Sequence, residues 1–204
     1  MTYLECGQIL IRGKDEVTRR AEELLDECWD GNFPVDVEAI CDRLDIEILP
    51  VRDLEDRFYI DAYISSDFKT IYVDERGFLS DSPRYRFSLA HELGHFILHR
   101  DYFSSRVSGF EEWSGMARGI FFDHAEYEAN HFAGSLLAPE GELIEILNTK
   151  CNGNFSRHCW ERSHEELRVI VQETRKIFRV SEQAFARRLS ESLLGIESFN
   201  EVAR

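Results

Sequence analysis

Five consecutive residues carry the strongest chemical signal in this chain: His91-Glu92-Leu93-Gly94-His95. Two histidines four residues apart on a helix differ by only about 40° in direction, so both imidazoles can face one ion. Neutral imidazole is a good Zn2+ ligand at about 2.0–2.1 Å. Glu92 projects from an adjacent face, where its carboxylate can take a proton from a water acidified by the zinc. The pattern points to hydroxide attack on a carbonyl. Gly94 costs about 1 kcal/mol relative to alanine in a helix interior, which implies that something approaches the helix closely there.

A catalytic zinc usually takes three protein ligands and keeps one position open. In the longer pattern H-E-x-x-H-x-x-G-x-x-H a glycine returns a third histidine to the ion, but Leu98 and Asp101 hold those two positions here. His99 sits about 6 Å farther along the helix axis than His95. It reads as a helix-end residue near the C-terminal dipole. The other route takes a carboxylate from a second helix, whose buried face is set by Ala125, Ala129, Phe132 and Ala133. Glu126 and Asn130, one turn apart, flank that face together. Glu126 can bind the ion while Asn130 hydrogen-bonds the far side of a ligand imidazole. Glu128 is expected nearer the solvent side, which favours Glu126 as the third ligand.

The motif helix, followed by Glu126-Tyr127-Glu128-Ala129-Asn130-His131-Phe132-Ala133 running into Leu136-Leu137-Ala138-Pro139, resembles the ImmA/IrrE-type metallo-endopeptidases. Pro34-Val35-Asp36-Val37-Glu38-Ala39-Ile40, Phe87-Ser88-Leu89-Ala90 and Phe178-Arg179-Val180-Ser181 leading into Arg188-Leu189 are similar to further blocks of that family, so the resemblance spans roughly residues 14 to 195. Ala138 departs from it, where the family often has Met. The resemblance implies a gluzincin-like site with His91, His95 and Glu126 as zinc ligands and Glu92 as general base. It also implies a substrate class. Several such proteins cleave a repressor with a helix-turn-helix domain and so switch on stress-response or mobile-element genes. Others are fused to such a domain. No such domain is evident at the start of this chain, so the repressor is expected to be a separate protein. The alternative is a regulator that binds a repressor or DNA without proteolysis and holds a structural or sensing metal; Glu92 discriminates, because a purely structural site has no need of a base.

The elements that must position these residues follow from periodicity. Val17, Ala21, Leu24, Leu25 and Cys28 recur at helical spacing, and Val37, Ile40, Cys41 and Leu44 mark a second, short helix. Ile46 and Ile48 alternate with acidic residues as in a short strand. Phe58, Ile60, Ala62 and Ile64 alternate again, turn at Ser65 to Phe68, and return through Ile71 and Val73 as a hairpin. An exposed edge of that hairpin, beside the motif helix, could pair with an extended substrate. Ser82-Pro83 reads as N-cap and first residue of the motif helix, which is predicted to end about His99. Residues 100–120 read as a long loop and 150–164 as irregular; helices are predicted over 164–177 and 181–194. The order predicts an α+β fold. With the resemblance it becomes a helix-rich, zincin-like (gluzincin-type) domain with a small antiparallel sheet over residues 1–160 and a C-terminal helical subdomain over 161–204.

Composition narrows the function classes. The 204 residues include 39 acidic and 24 Lys and Arg residues, a formal net charge of −15. That disfavours direct nucleic-acid binding, which needs a positive surface. The basic stretch Arg168 to Arg188 carries six Lys/Arg and two Glu, and its preferred reading is two helices with solvated basic faces. Five cysteines (Cys6, Cys28, Cys41, Cys151, Cys159) show no C-x-x-C spacing and read as reduced thiols, and Cys151, His158 and Cys159 do not form a convincing second metal knuckle. No signal peptide or membrane span is expected, which makes the cytoplasm the default location. His124, His131, His158, His164 and several tyrosines are candidates for donating to a developing oxyanion.

Overall fold

A computed structural model describes residues 12–103, 120–151 and 164–192. Helix α1 (Lys14–Cys28) turns Val17, Ala21, Leu24 and Leu25 inward. Asp36 caps α2 (Val37–Arg43), its carboxylate accepting the Ala39 N–H at 3.0 Å. Then follow β1 (Glu47–Val51), α3 (Leu54–Phe58), β2 (Ala62–Ile64), β3 (Thr70–Asp74) and α4 (Glu75–Ser80). The two central helices are α5 (Pro83–Phe103) and α6 (Ile120–Leu137), and α7 (Glu140–Lys150), α8 (His164–Phe178) and α9 (Glu182–Ser192) complete the described chain. Among the described residues no helix is long and apolar enough to cross a membrane.

The sheet has the order β1-β3-β2, with β1 parallel to β3 and β2 antiparallel to β3. It is therefore mixed, where an antiparallel sheet was expected. The chain reverses twice between β1 and β3, once through α3 and once in the hairpin, so those two strands run the same way. The predicted hairpin turn is present: Ser65 Oγ accepts the Lys69 and Thr70 N–H groups, and Phe68 takes a left-handed conformation with φ 57°. The strand before it is shorter than the alternation implies. Phe58 ends α3 and is exposed, because Asp53 and Tyr59 adopt left-handed conformations at either end of that helix and the buried Asp74 carboxylate holds the Glu55 N–H at 3.1 Å.

The bonds Asp74 N–H to Asp61 O and Ser65 N–H to Thr70 O make the odd-numbered residues of β2 its pairing positions. Ala62 and Ile64 thus turn their backbone groups to the outer edge, toward α5. Ile64 spends its N–H there on the Glu92 carboxylate, at 2.8 Å.

Ser82 Oγ accepts the Tyr85 N–H at the start of α5, as the Ser-Pro pair predicts. The helix does not stop near His99 but continues to Phe103. Its Leu89, Ala90, Leu93 and Leu98 enter one buried cluster with Leu24, Ile71, Phe132 and Leu136. Phe178, Val180, Phe185 and Leu189 from the last two helices belong to the same cluster. Pro139 both closes α6 and opens α7, a helix not expected from the sequence, which buries Leu143 and Leu147. The basic stretch is less solvated than expected: Arg188 is buried and donates to Ala138 O, Arg175 donates to Val180 O, and Arg179 pairs with Asp81 at 2.7 Å. The expected irregular tracts fall mostly in 104–119 and 152–163, outside the described residues, as do Cys6, His158 and Cys159.

Candidate metal centre

Helices α5 and α6 touch where α5 has no side chain. A Cβ built on Gly94 would lie 3.0 Å from Ala129 Cα and 3.2 Å from its carbonyl oxygen. This is the close approach that a glycine in mid-helix implies. It brings residues 126 and 130 of one helix against residues 91 and 95 of the other.

The structure brings His91, His95 and Glu126 together, one possible ligand atom from each lying within 4.8 Å of the others. His91 Nε2 and His95 Nε2 are 3.1 Å apart, Glu126 Oε1 is 3.0 Å from His95 Nε2, and Glu126 Oε2 is 3.1 Å from His91 Nε2. Ligands at 2.0–2.1 Å around a tetrahedral ion stand about 3.3 Å from each other, so the cradle is close to ion size. Asn130 Oδ1 lies 3.2 Å from His91 Nδ1. An amide oxygen only accepts, so His91 donates from Nδ1 to Asn130, which leaves Nε2 as the ring atom that faces Glu126 and His95. Two imidazoles and a carboxylate meeting in this way are a donor set that suits a divalent ion. Among the described residues no other group of three His, Cys, Asp or Glu has this geometry.

Two residues stand elsewhere than the sequence implies. His99 is not at a helix end: it is 1% exposed, its Nδ1 lies 3.1 Å from His95 Nδ1, and its Nε2 lies 3.1 Å from Glu128 Oε2. Glu128 is not on a solvent side: it is 3% exposed and also accepts the Arg12 N–H at 2.7 Å and the Arg12 guanidinium at 3.2 Å. The apolar stripe of α6 underestimates its buried face, because α1 and α5 both pack against that helix. The available signal for His99 is its spacing, which continues the four-residue step from His91 to His95.

Burial governs the electrostatics. It pushes the Glu92 carboxyl up to about 7, against the attraction of His91. It pushes His95 down to about 4, so that imidazole is neutral near pH 7. For Glu126 burial acts upward, but His91 and His95 outweigh it and hold the carboxyl well below the usual range. For His91 burial acts downward and is more than offset by Glu126 and Glu92, so its affinity for a proton rises. A site with two carboxylates beside two imidazoles therefore attracts positive charge.

The site opens into a cleft of about 440 Å³ lined by Tyr59, Ile60, Asp61 and Ala62 from the sheet side and by Phe87, Ser88 and the motif residues from α5, with Glu126 and Asn130 from α6. Of the candidate oxyanion donors, Tyr59 lines this cleft. His131 turns the other way, its Nε2 3.0 Å from Thr18 Oγ1 between α6 and α1, and His124 is exposed outside the cleft.

No curated protein matches the chain significantly. The family profile described as the IrrE N-terminal-like domain, Peptidase_M78, matches residues 41–190, a span that includes both site helices. That family supports a metallopeptidase-type function and implies a metal ion. With this match laid over the His-His-Glu cradle, the chain belongs to the Peptidase_M78 family.

Proposed function

We propose that this protein is a zinc-dependent endopeptidase, with His91, His95 and Glu126 holding the ion and Glu92 as general base. The observation that carries the reading is the convergence of three ligand atoms at one wall of an open cleft, with a buried carboxylate beside them that belongs to no ligand pair. Two imidazoles and one carboxylate favour zinc among the available ions. When bound, the ion supplies Lewis-acid polarisation of the scissile carbonyl and of the attacking water. Glu92 receives the proton of that water and returns it to the leaving amine. The Ile64 N–H holds Glu92 Oε2, which leaves Oε1 for the transfer. Asn130 fixes the ring of His91 from behind.

The substrate in this reading is a separate protein with a helix-turn-helix repressor domain, and its cleavage derepresses stress-response or mobile-element genes. The family resemblance supports that assignment. The test compares wild type with Glu92→Gln against such a repressor. The variant should keep stoichiometric zinc by metal analysis, while cleavage seen by mass spectrometry falls by about 10²- to 10⁴-fold. Undiminished cleavage removes the base assignment. A repressor released intact by both proteins favours the non-proteolytic regulator instead.

A further inference from the structure

We propose that His99 and Glu128 are positioning residues for His95, fixing its tautomer so that Nε2 meets the ion as a lone pair; this rests on the zinc reading above. Hydrogen bonds pass from partner to partner along a buried chain of side chains. Both oxygens of Glu128 accept from Arg12, Oε1 from the backbone N–H at 2.7 Å and Oε2 from the guanidinium at 3.2 Å. That carboxylate is an acceptor, so the hydrogen in its 3.1 Å contact with His99 belongs to His99 Nε2. A neutral His99 with a proton on Nε2 has a lone pair on Nδ1. The atom facing that lone pair at 3.1 Å is His95 Nδ1, which must carry the next proton. With zinc bound, His95 Nε2 is then bare toward the ion; it stands 3.0 Å from Glu126 Oε1 and 3.1 Å from His91 Nε2, spacings that ligands of one ion keep.

Burial makes the chain a fixed device. His95, His99 and Glu128 are 4%, 1% and 3% exposed, so water does not compete for their hydrogen bonds. The two ligand histidines are therefore supported differently. His91 rests on an amide oxygen, whereas His95 rests on an imidazole backed by a carboxylate, a stronger acceptor that raises the basicity of its ligand nitrogen. The path also joins Arg12, just before α1, to the ion through three side chains.

Nitrogen-15 NMR of the zinc-loaded, full-length protein reads the tautomers directly. The expected pattern is a proton on Nε2 of His99 and on Nδ1 of His95. A proton on Nδ1 of His99 overturns the proposal without recourse to any variant. Zinc affinity, measured by competition with a chromophoric chelator, is the second readout. His99→Leu removes the acceptor and should weaken zinc binding by about 10- to 100-fold. His99→Gln, whose side-chain carbonyl can accept the same N–H, should recover part of that loss. Wild-type affinity in a folded His99→Leu protein overturns the proposal. Failure of the zinc reading looks different: there the wild-type chain itself takes up no zinc, or His95→Ala binds it as well as wild type.

Discussion

At the scale of single residues, the proposed centre needs each ligand to arrive with the right atom bare. His91 and His95 meet that condition through partners on their far nitrogens. His95→Ala and Glu126→Ala should each lower zinc affinity by at least about 100-fold, about 2.7 kcal/mol or more. Isothermal titration checks this, and an affinity within threefold of wild type in either variant counts against the ligand set. The sequence made His91, Glu92 and His95 legible because all three lie on one helix, where a local period translates directly into a shared direction. Glu126 required a relation between two helices, and its spacing to Asn130 and the buried alanines, with the family resemblance, pointed to it. The places of His99 and Glu128 were not legible, since each is defined by a partner 29 residues away in the chain.

At the scale of elements, Gly94 sets the distance between α5 and α6. Alanine there gains about 1 kcal/mol of helix propensity but meets the Ala129 backbone, and overpacking of that kind costs about 1–3 kcal/mol. Gly94→Ala should therefore destabilise by up to about 2 kcal/mol on these figures. It should also weaken zinc binding, because Glu126 moves with its helix. Thermal melts and zinc titration on one sample separate the two effects, and wild-type values in both would show that the contact is slack.

Asp74 offers an element-level test through pH. Burial alone would raise its carboxyl, but N–H donors from Glu55, Gly77 and Arg76 outweigh it and leave the group below its ordinary value of 3.8. Its contribution is thus present above that value and lost as pH falls through the lower folded one. Asp74→Ala should cost about 1–2 kcal/mol near neutral pH, and the gap to wild type should close in strongly acidic solution. Chemical denaturation over that range provides the check; a gap independent of pH would contradict it. The Ser-Pro start of α5 was legible because cap and first turn are local chemistry. The extent of β2 was not, since the alternation at Phe58 and Ile60 is overruled by the left-handed turn at Tyr59 and by a bond to the distant Asp74.

At the scale of the whole molecule, an ion held by the proposed ligands would clamp α5 to α6 inside a single core. Ligands that bind only the folded state stabilise it by about 4 kcal/mol at a thousand times the dissociation constant. Chelation should then lower the melting temperature by roughly 10 °C for a chain of this size, and re-addition of zinc should restore it. An unchanged melting curve would mean that zinc does not bind the folded chain tightly. The hydrogen bond from Ile64 to Glu92 carries a further consequence. It fastens the proposed base to the wall opposite its own helix, so in that reading aperture and reactivity are opposed. A bulky chain that prises the sheet away from α5 gains entry and in the same motion slackens the carboxylate it needs, whereas a slender, extended one leaves that grip intact.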